Sequence, residues 1–223
     1  DCSSGPLGQG IAHAVGFAMA EAHLAAKFNK EDIKLIDHYT YVLAGDGDMQ
    51  EGVTQEAISL AGRLGLNKLI VIYDNNDITL DGPLALSNYD NTKMRFEACG
   101  WNVLTTDGTS VELMKKMILK AKKSLKPTLI IAKTIIGKGS VNEGTAKVHG
   151  APIGEEDAVQ LKEKLGWNHD KFEIPQEVYD HFENTFVKRG NKAFRNWRKN
   201  AKIYEFRYPT EWAEFTKAVK GDY

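Results

Sequence analysis

Cysteine is almost absent from this chain of 223 residues, which contains only Cys2 and Cys99. Two cysteines cannot build a disulfide framework, and neither stands at metal-ligand spacing from another ligand. We therefore expect a reducing compartment, with the cytoplasm as the location. A long apolar run is lacking too: residues 69–73 are a run of strand length, whereas a membrane helix needs about 20 apolar residues. We expect no membrane partner.

An excess of one charge is also lacking. Lys and Arg total 29, Asp and Glu total 30, and the net charge is −1. This balance argues against a protein that binds nucleic acid through its overall charge. With 42% hydrophobic and 26% charged residues, disorder and fibre formation are excluded. An initiator Met and a signal-peptide pattern are missing, from which we expect that the chain begins inside a longer protein.

Short β-rich runs alternate with segments of helical periodicity over the first part of the chain. The run at residues 68–73 is apolar on both faces, which is typical of a parallel sheet covered by helices on each side. The predicted fold class is therefore α/β, a parallel β-sheet sandwiched by helices. Strands are predicted at residues 39–44, 68–73, 101–105 and 128–136, and helices at residues 11–28, 53–64, 94–99 and 111–124.

The first predicted helix carries small residues at a spacing of four. Ala12, Gly16 and Ala20 therefore share one helical face, to which another backbone can come close. Two interpretations stay open from the pattern: a tightly packed core helix, or a subunit interface.

The character of the chain changes after a glycine-rich, irregular segment at residues 137–154. Residues 155–165, 176–204 and 209–221 are charged, contain aromatic residues and are helical in pattern, without a strand signal. We predict an α/β domain at residues 1–154. A helical C-terminal extension at residues 155–223 is expected to pack on the same domain and to lead to a further domain.

Polar clusters follow two successive strands of the predicted sheet. Gly45-Asp46-Gly47 ends the first strand, and Asp74-Asn75-Asn76 ends the second. Ligands of parallel α/β sheets bind beyond the carboxyl ends of the strands, so we expect the two clusters to be neighbours. Asp46 offers a carboxylate and Asn76 an amide carbonyl, which form an oxygen-only ligand set that suits Mg²⁺ completed by phosphate oxygens. Singly, each cluster is better explained as a turn or a loop than as a functional site.

The two clusters together resemble the thiamine-diphosphate binding motif, and phrases elsewhere resemble transketolases more specifically. The resemblance runs over nearly the whole chain and rests on residues 5–10 (GPLGQG), 37–41 (DHYTY), 133–137 (KTIIG) and 149–152 (HGAP). It implies thiamine diphosphate and Mg²⁺ as cofactors.

The resemblance also implies roles for individual residues. Asp46, the Asn76 side chain and the main-chain carbonyl of Ile78 would ligate Mg²⁺, and Gly47 would donate its backbone N–H to the diphosphate. The resemblance places four further residues near the cofactor: Gly5, Leu7, Ile136 and His149. His149 would also face the sugar substrate. Glu51 and Glu56 would link two active sites across a dimer interface. Leu7, Ile78 and Ile136 would otherwise be explained as core, Glu51 and Glu56 as solvated helix charges, and His149 as a loop residue.

The implied activity is transfer of a two-carbon ketol unit from a ketose phosphate to an aldose phosphate, as in the pentose phosphate pathway. The family's further domain, which binds the aminopyrimidine ring, has no counterpart in the sequence, so we expect catalysis only with that domain or subunit, in a homodimer or a complex. Two alternatives stay open: a non-catalytic module that binds thiamine diphosphate and Mg²⁺, and a subunit of a split enzyme such as a dihydroxyacetone synthase. A nicotinamide dehydrogenase is disfavoured, because residues 5–10 do not spell G-x-G-x-x-G and follow no strand.

Overall fold

The computed structural model describes residues 2–221. The ends of the predicted ranges, residue 1 and residues 222–223, lie outside the described residues. Eight α-helices and six strands are described, joined by short 3₁₀ turns and one π-helical segment. Their bounds are α1 Gln9–Phe28, β1 Thr40–Gly45, α2 Gly52–Leu64, β2 Leu69–Asn75, β3 Ile78–Thr79, β4 Gly82–Pro83, α3 Thr92–Ala98, β5 Asn102–Asp107, α4 Val111–Ala121, β6 Thr128–Lys133, α5 Glu155–Leu165, α6 Gln176–Phe182, the π-helical segment Glu183–Val187, α7 Lys188–Arg207 and α8 Pro209–Lys220.

Four strands form one parallel sheet in the order β1-β2-β6-β5. The register pairs Gly45 with Asp74 and Asn75 with Lys133, so the carboxyl ends of β1, β2 and β6 lie side by side. Strands β3 and β4 form a separate two-stranded antiparallel hairpin directly after β2. The hairpin therefore begins three residues after the end of β2, next to the second polar cluster.

Helices cover both faces of the sheet because the central strands are apolar on both sides. Successive residues of a strand point to opposite faces. Val71 of β2 packs in one core cluster with residues of α1 and α2, including Ile11 and Ile58. Its neighbour Ile70 packs in another cluster with Met117 of α4. The α/β fold with a sandwiched parallel sheet is confirmed.

The small-residue face of α1 does not lie in the core. Gly16 and Ala20 are exposed, while Ile11 and Val15 are among the fully buried residues of the same helix. The buried face consists of Ile11, Ala14, Val15 and Ala18, with Ala12 half-buried beside them, whereas Phe17 and Met19 are exposed. The helix therefore packs in the core as one interpretation expected, but Gly16 and Ala20 lie outside its buried face. The subunit interface stays a prediction.

The contacts divide the described residues into two units. The first contains the residues up to Ala20 together with His38–Gly166, and the second contains Glu21–Asp37 together with the residues from Trp167 onward. This division differs from the predicted boundary after residue 154, since α5 falls in the first unit. Asp157 of α5 is buried and accepts hydrogen bonds from the backbone N–H of Val141 at 3.1 and 3.2 Å, which ties α5 to the irregular segment after β6.

The second unit has its own small core, built around Tyr204. The Tyr204 ring is fully buried, and its hydroxyl donates to the carbonyl of Phe28 at 2.7 Å. Phe28 meets Phe215 edge-on with ring centroids 5.4 Å apart. A helical C-terminal segment is thus present as predicted.

Two local features differ from the sequence prediction. The last strand was predicted to run to residue 136, but β6 ends at Lys133, and Gly137 adopts a left-handed conformation with φ of 60°. The apolar residues beyond β6 serve a loop instead, in which the Ile136 carbonyl accepts from Gly144 N–H at 2.9 Å. The hairpin of β3 and β4 was not predicted, because two-residue strands carry too little periodicity to be detected.

Candidate functional site

The Asp46 carboxylate lies buried at the carboxyl edge of the sheet, immediately after β1, with only 3% of the residue exposed. Its Oδ2 accepts the backbone N–H groups of Asn76 at 3.1 Å and Asp77 at 3.0 Å. Its Oδ1 accepts from the hydroxyl of Tyr73 and from Asn75 Nδ2 at 3.2 Å. The structure therefore brings the two polar clusters together around one carboxylate.

Tyr73 is the second buried polar group at this site. Burial, followed by the hydrogen bond with Asp46, raises the pKa of the Tyr73 phenol. The phenol therefore stays protonated near neutral pH and donates to the carboxylate. A buried carboxylate needs such donors, because an unpaired charge is costly away from water.

Residues 76–78 curl around Asp46 in a tight turn. Asn76 Oδ1 accepts from Ile78 N–H at 3.0 Å, and Asp77 has a left-handed backbone with φ of 63°. Ile78 is buried at the start of the β3–β4 hairpin, paired with Pro83. The hairpin thus holds the turn in place at the end of β2.

The oxygen donors in this turn fit the metal that the sequence suggests. Asp46, Asn76 and the Ile78 main chain contribute one carboxylate and two neutral carbonyls, a set of hard oxygens that suits Mg²⁺ with phosphate and water filling the remaining positions. Within residues 2–221, no cluster of three or more His, Cys, Asp or Glu residues is placed to hold a metal ion. A metal here would therefore take much of its coordination from its phosphate ligand.

The Gly45–Gly47 turn is matched in shape to the loop that contains Gly5 and Leu7. A Cβ on Gly47 would lie 3.0 Å from Leu7 Cδ1 and 3.4 Å from Thr79 Oγ1, so a larger residue would crowd both neighbours. Leu7 itself is 47% exposed, and Gly5 is exposed, so this surface is accessible to a ligand. These are the positions expected to face the cofactor.

Ile136 and His149 belong to the irregular segment that follows β6. Ile136 is half-buried and His149 is exposed. A Cβ on Gly137 would lie 2.6 Å from Val148 Cγ2, so the chain next to His149 packs directly against the chain next to Ile136. The two predicted residues are therefore held in one loop assembly, at the carboxyl end of a strand that neighbours β2.

Glu51 stands directly before α2, where a Cβ on Gly8 would lie 2.7 Å from its Cβ, and Glu56 lies within the helix. Glu51 is the N-cap residue of α2 and is half-buried, whereas Glu56 is exposed further along the helix. Neither side chain has a described hydrogen bond to Asp46. Their predicted role at a dimer interface stays a prediction.

Two residues at this edge were missed by the sequence prediction. Tyr73 ends the apolar part of β2 and is indistinguishable from a core residue by pattern. Asp48 follows the Gly-Asp-Gly cluster, and its Oδ1 and Oδ2 accept backbone N–H groups from Gly8 and Gly45, each at 2.8 Å. An acidic residue directly after the cluster was the available signal for Asp48.

The fold and this edge define a parallel α/β protein with a cluster of oxygen donors at the carboxyl ends of its strands. A family profile described as "Transketolase, thiamine diphosphate binding domain" matches residues 1–223. A transketolase from Streptococcus pyogenes serotype M6 is 50% identical over 100% of this chain and 31% of its own length. The chain belongs to the transketolase family, within its thiamine diphosphate binding domain.

Solved structures agree with this assignment. Transketolase from Leishmania mexicana superposes with a TM-score of 0.95 at 43% identity, over 98% of this chain and 33% of the other. A Pichia stipitis transketolase in complex with sedoheptulose 7-phosphate gives a TM-score of 0.94 at 40% identity, over 98% and 33% of the two chains. The chain thus spans about a third of the length of these relatives.

None of the helices in residues 2–221 combines the length and apolar character needed to cross a membrane.

Proposed function

We propose that this chain binds thiamine diphosphate and Mg²⁺ and contributes the diphosphate-binding part of a transketolase. The observation that carries the proposal is the buried Asp46 carboxylate, held by the backbone of residues 76–77 at the sheet edge of a chain that belongs to this family. Asp46, Asn76 and the Ile78 carbonyl would hold the ion together with diphosphate oxygens. Gly47 N–H would donate to the diphosphate.

The surrounding residues would place the cofactor and the substrate. Gly5, Leu7 and Ile136 would line the space for the rings, and His149 would lie between the diphosphate and an incoming sugar phosphate. When bound, thiamine diphosphate supplies the nucleophilic carbon and the electron sink for breaking a carbon–carbon bond. The contribution of this chain is to anchor, orient and shield that group.

The proposed reaction is transfer of a two-carbon ketol unit from a ketose phosphate to an aldose phosphate in the cytoplasm. The sugar phosphate in the Pichia stipitis complex supports this substrate class. The catalytic partner would be a pyrimidine-binding domain, supplied in a homodimer or by a complementary subunit. Glu51 and Glu56 would then act at the subunit interface.

The test is calorimetric titration of the chain with thiamine diphosphate, with and without Mg²⁺. We expect binding that depends on Mg²⁺ and that weakens roughly 100-fold or more in Asp46→Asn, because loss of a direct ligand should cost at least as much as loss of the residues that support one. Asn76→Ala provides a second variant, since this partly exposed side chain makes only local hydrogen bonds within residues 74–78.

Asp107→Asn is the matched control. Asp107 is an exposed carboxylate at the end of β5, at the same edge of the sheet. Three strand spacings separate β5 from β1, which amounts to about 14 Å. Folded parent chain that shows no Mg²⁺-dependent binding would contradict the proposal, and equal binding by Asp46→Asn and Asp107→Asn would contradict the metal assignment.

A further inference from the structure

Asp48 joins two segments that are far apart in the sequence. It begins the short 3₁₀ helix Asp48–Gln50 directly after Gly47. Its Oδ2 accepts from Gly45 N–H and its Oδ1 from Gly8 N–H, each at 2.8 Å. One carboxylate therefore binds both the turn after β1 and the loop before α1.

The backbone of Asp48 is fixed from the other side by α2. Its carbonyl accepts from the hydroxyl of Thr54 at 2.6 Å, and Thr54 is completely buried. The Asp48 carboxylate is thus attached to a backbone that α2 holds in place. A side chain that positions other groups needs such support.

Gly8 is pressed against the same first turn of α2. It has φ of 75°, and a Cβ there would lie 2.7 Å from both Glu51 Cβ and Thr54 Oγ1. Only glycine fits, and glycine is also the residue with the greatest freedom of backbone conformation when nothing restrains it. The hydrogen bond to Asp48 restrains the Gly8 N–H, while the Gly8 carbonyl accepts from Ala12 N–H at 3.2 Å.

We propose that Asp48 is a positioning residue of the cofactor site, holding the loop of residues 5–8 against the turn of residues 45–47. The inference rests on the proposed function. The contact between Leu7 and Gly47, where a Cβ would lie 3.0 Å from Leu7 Cδ1, is the point at which the two segments meet. Asp48 keeps them in one arrangement before a ligand binds, so that binding does not have to order the loop.

A carboxylate is required because both donors are backbone N–H groups. Asn has a single acceptor oxygen, so its NH₂ group would face one of the two N–H donors. Asp48→Asn therefore loses one hydrogen bond and creates a donor–donor contact. Since a hydrogen bond to a charged group is among the stronger ones, we expect roughly tenfold faster exchange of whichever amide faces the NH₂ group, Gly8 or Gly45, and roughly tenfold weaker cofactor binding.

The experiment combines hydrogen–deuterium exchange, resolved at Gly8 and Gly45, with titration of the same samples by thiamine diphosphate and Mg²⁺. Asp107→Asn is again the control, since Asp107 accepts from Thr109 N at 2.8 Å and Thr109 Oγ1 at 2.7 Å within its own loop. We expect Asp48→Asn to raise exchange at Gly8 or Gly45 and to weaken binding, while Asp107→Asn changes neither. A solely structural role would raise exchange throughout the sheet instead.

The outcomes separate the two claims. Unchanged exchange at both Gly8 and Gly45 in folded Asp48→Asn would overturn the inference, as would faster exchange with unaltered affinity. Absence of binding by the parent chain would overturn the proposed function, and the positioning role with it, whereas the exchange data would still report whether Asp48 restrains the loop.

A second pair of variants covers the case in which Asp48→Asn does not fold. Thr54→Val removes the hydroxyl that fixes the Asp48 carbonyl, and Thr54→Ser keeps it. We expect faster Gly8 exchange and weaker binding in Thr54→Val, with Thr54→Ser close to the parent. Equal behaviour of the two variants would refute the claim that a fixed Asp48 backbone positions the loop.

Discussion

The hydroxyl of Tyr73 is expected to contribute strongly to stability, and Tyr73→Phe removes it with little change of shape. Tyr73 is 2% exposed, and its hydroxyl donates to the buried Asp46 carboxylate. The ring remains in place in the variant, so no cavity of appreciable size forms. The variant loses the donor to the buried carboxylate and also the oxygen that accepts from Asn75 Nδ2 at 3.1 Å.

The magnitude follows from the kind of hydrogen bond that is lost. A hydrogen bond to a charged group contributes about 1.5–3 kcal/mol to the free energy of unfolding. For a chain of this size, about 2–4 °C of melting temperature correspond to each kcal/mol, so we expect a decrease of roughly 3–12 °C. Asn75 Nδ2 remains on the same oxygen of Asp46 at 3.2 Å, which favours the lower half of that range.

The assay is thermal unfolding followed by circular dichroism, with chemical denaturation as a second measure. Tyr89→Phe is the matched control, because Tyr89 is 90% exposed, and such a surface change should stay within about 0.5 kcal/mol of the parent. Equal melting temperatures for Tyr73→Phe and Tyr89→Phe would refute the argument that this hydroxyl stabilises the buried carboxylate.

Two further predictions concern packing and pH. Gly62→Ala should destabilise the folded chain by about 2 kcal/mol or more, because a Cβ on Gly62 would lie 1.7 Å from the Cys99 carbonyl oxygen. This overpacking outweighs the roughly 1 kcal/mol by which Ala is favoured over Gly in a helix. Glu211→Gln should lower the melting temperature at pH 7, because the hydrogen bond from Lys30, at 2.7 Å, lowers the pKa of Glu211. A carboxyl group whose pKa is lowered in the folded state stabilises that state at pH values above its ordinary pKa of 4.5. The difference in melting temperature between Glu211→Gln and the parent should therefore shrink as the pH falls below 4.5.

Each of these predictions has a control in the chain. Gly16→Ala places the same methyl group on α1, where a Cβ would meet nothing within 4 Å, and should be neutral or stabilising. A melting temperature for Gly62→Ala at or above that of Gly16→Ala would contradict the packing argument. Glu214→Gln alters a more exposed carboxylate, 3.5 Å from Lys27, and should change the melting temperature little at pH 7. A Glu211→Gln effect that persists unchanged at pH 3 would contradict the assignment to this pair.

Much of the fold was predictable because its signals are local. The apolar run of β2, flanked by segments of helical period, indicates a parallel sheet covered on both faces, and Gly65 marks the end of α2 with φ of 63°. The limits of β6 and the hairpin after β2 were not predictable. The residues after Lys133 are as apolar as those of a strand, and only their packing with residues 144 and 148 shows that they form a loop.

The fold class, the family and the positions of the two polar clusters can be predicted from the amino-acid sequence. Strand periodicity and short motifs depend only on residues that are neighbours along the chain. The tertiary structure alone decided which atoms meet. Tyr73 resembles a core residue until Asp46 is seen beside it, and Asp48 resembles a turn residue until Gly8 is seen bound to it. Both contacts join segments separated by tens of residues, and their hydrogen bonds depend on how the strands and helices pack in three dimensions.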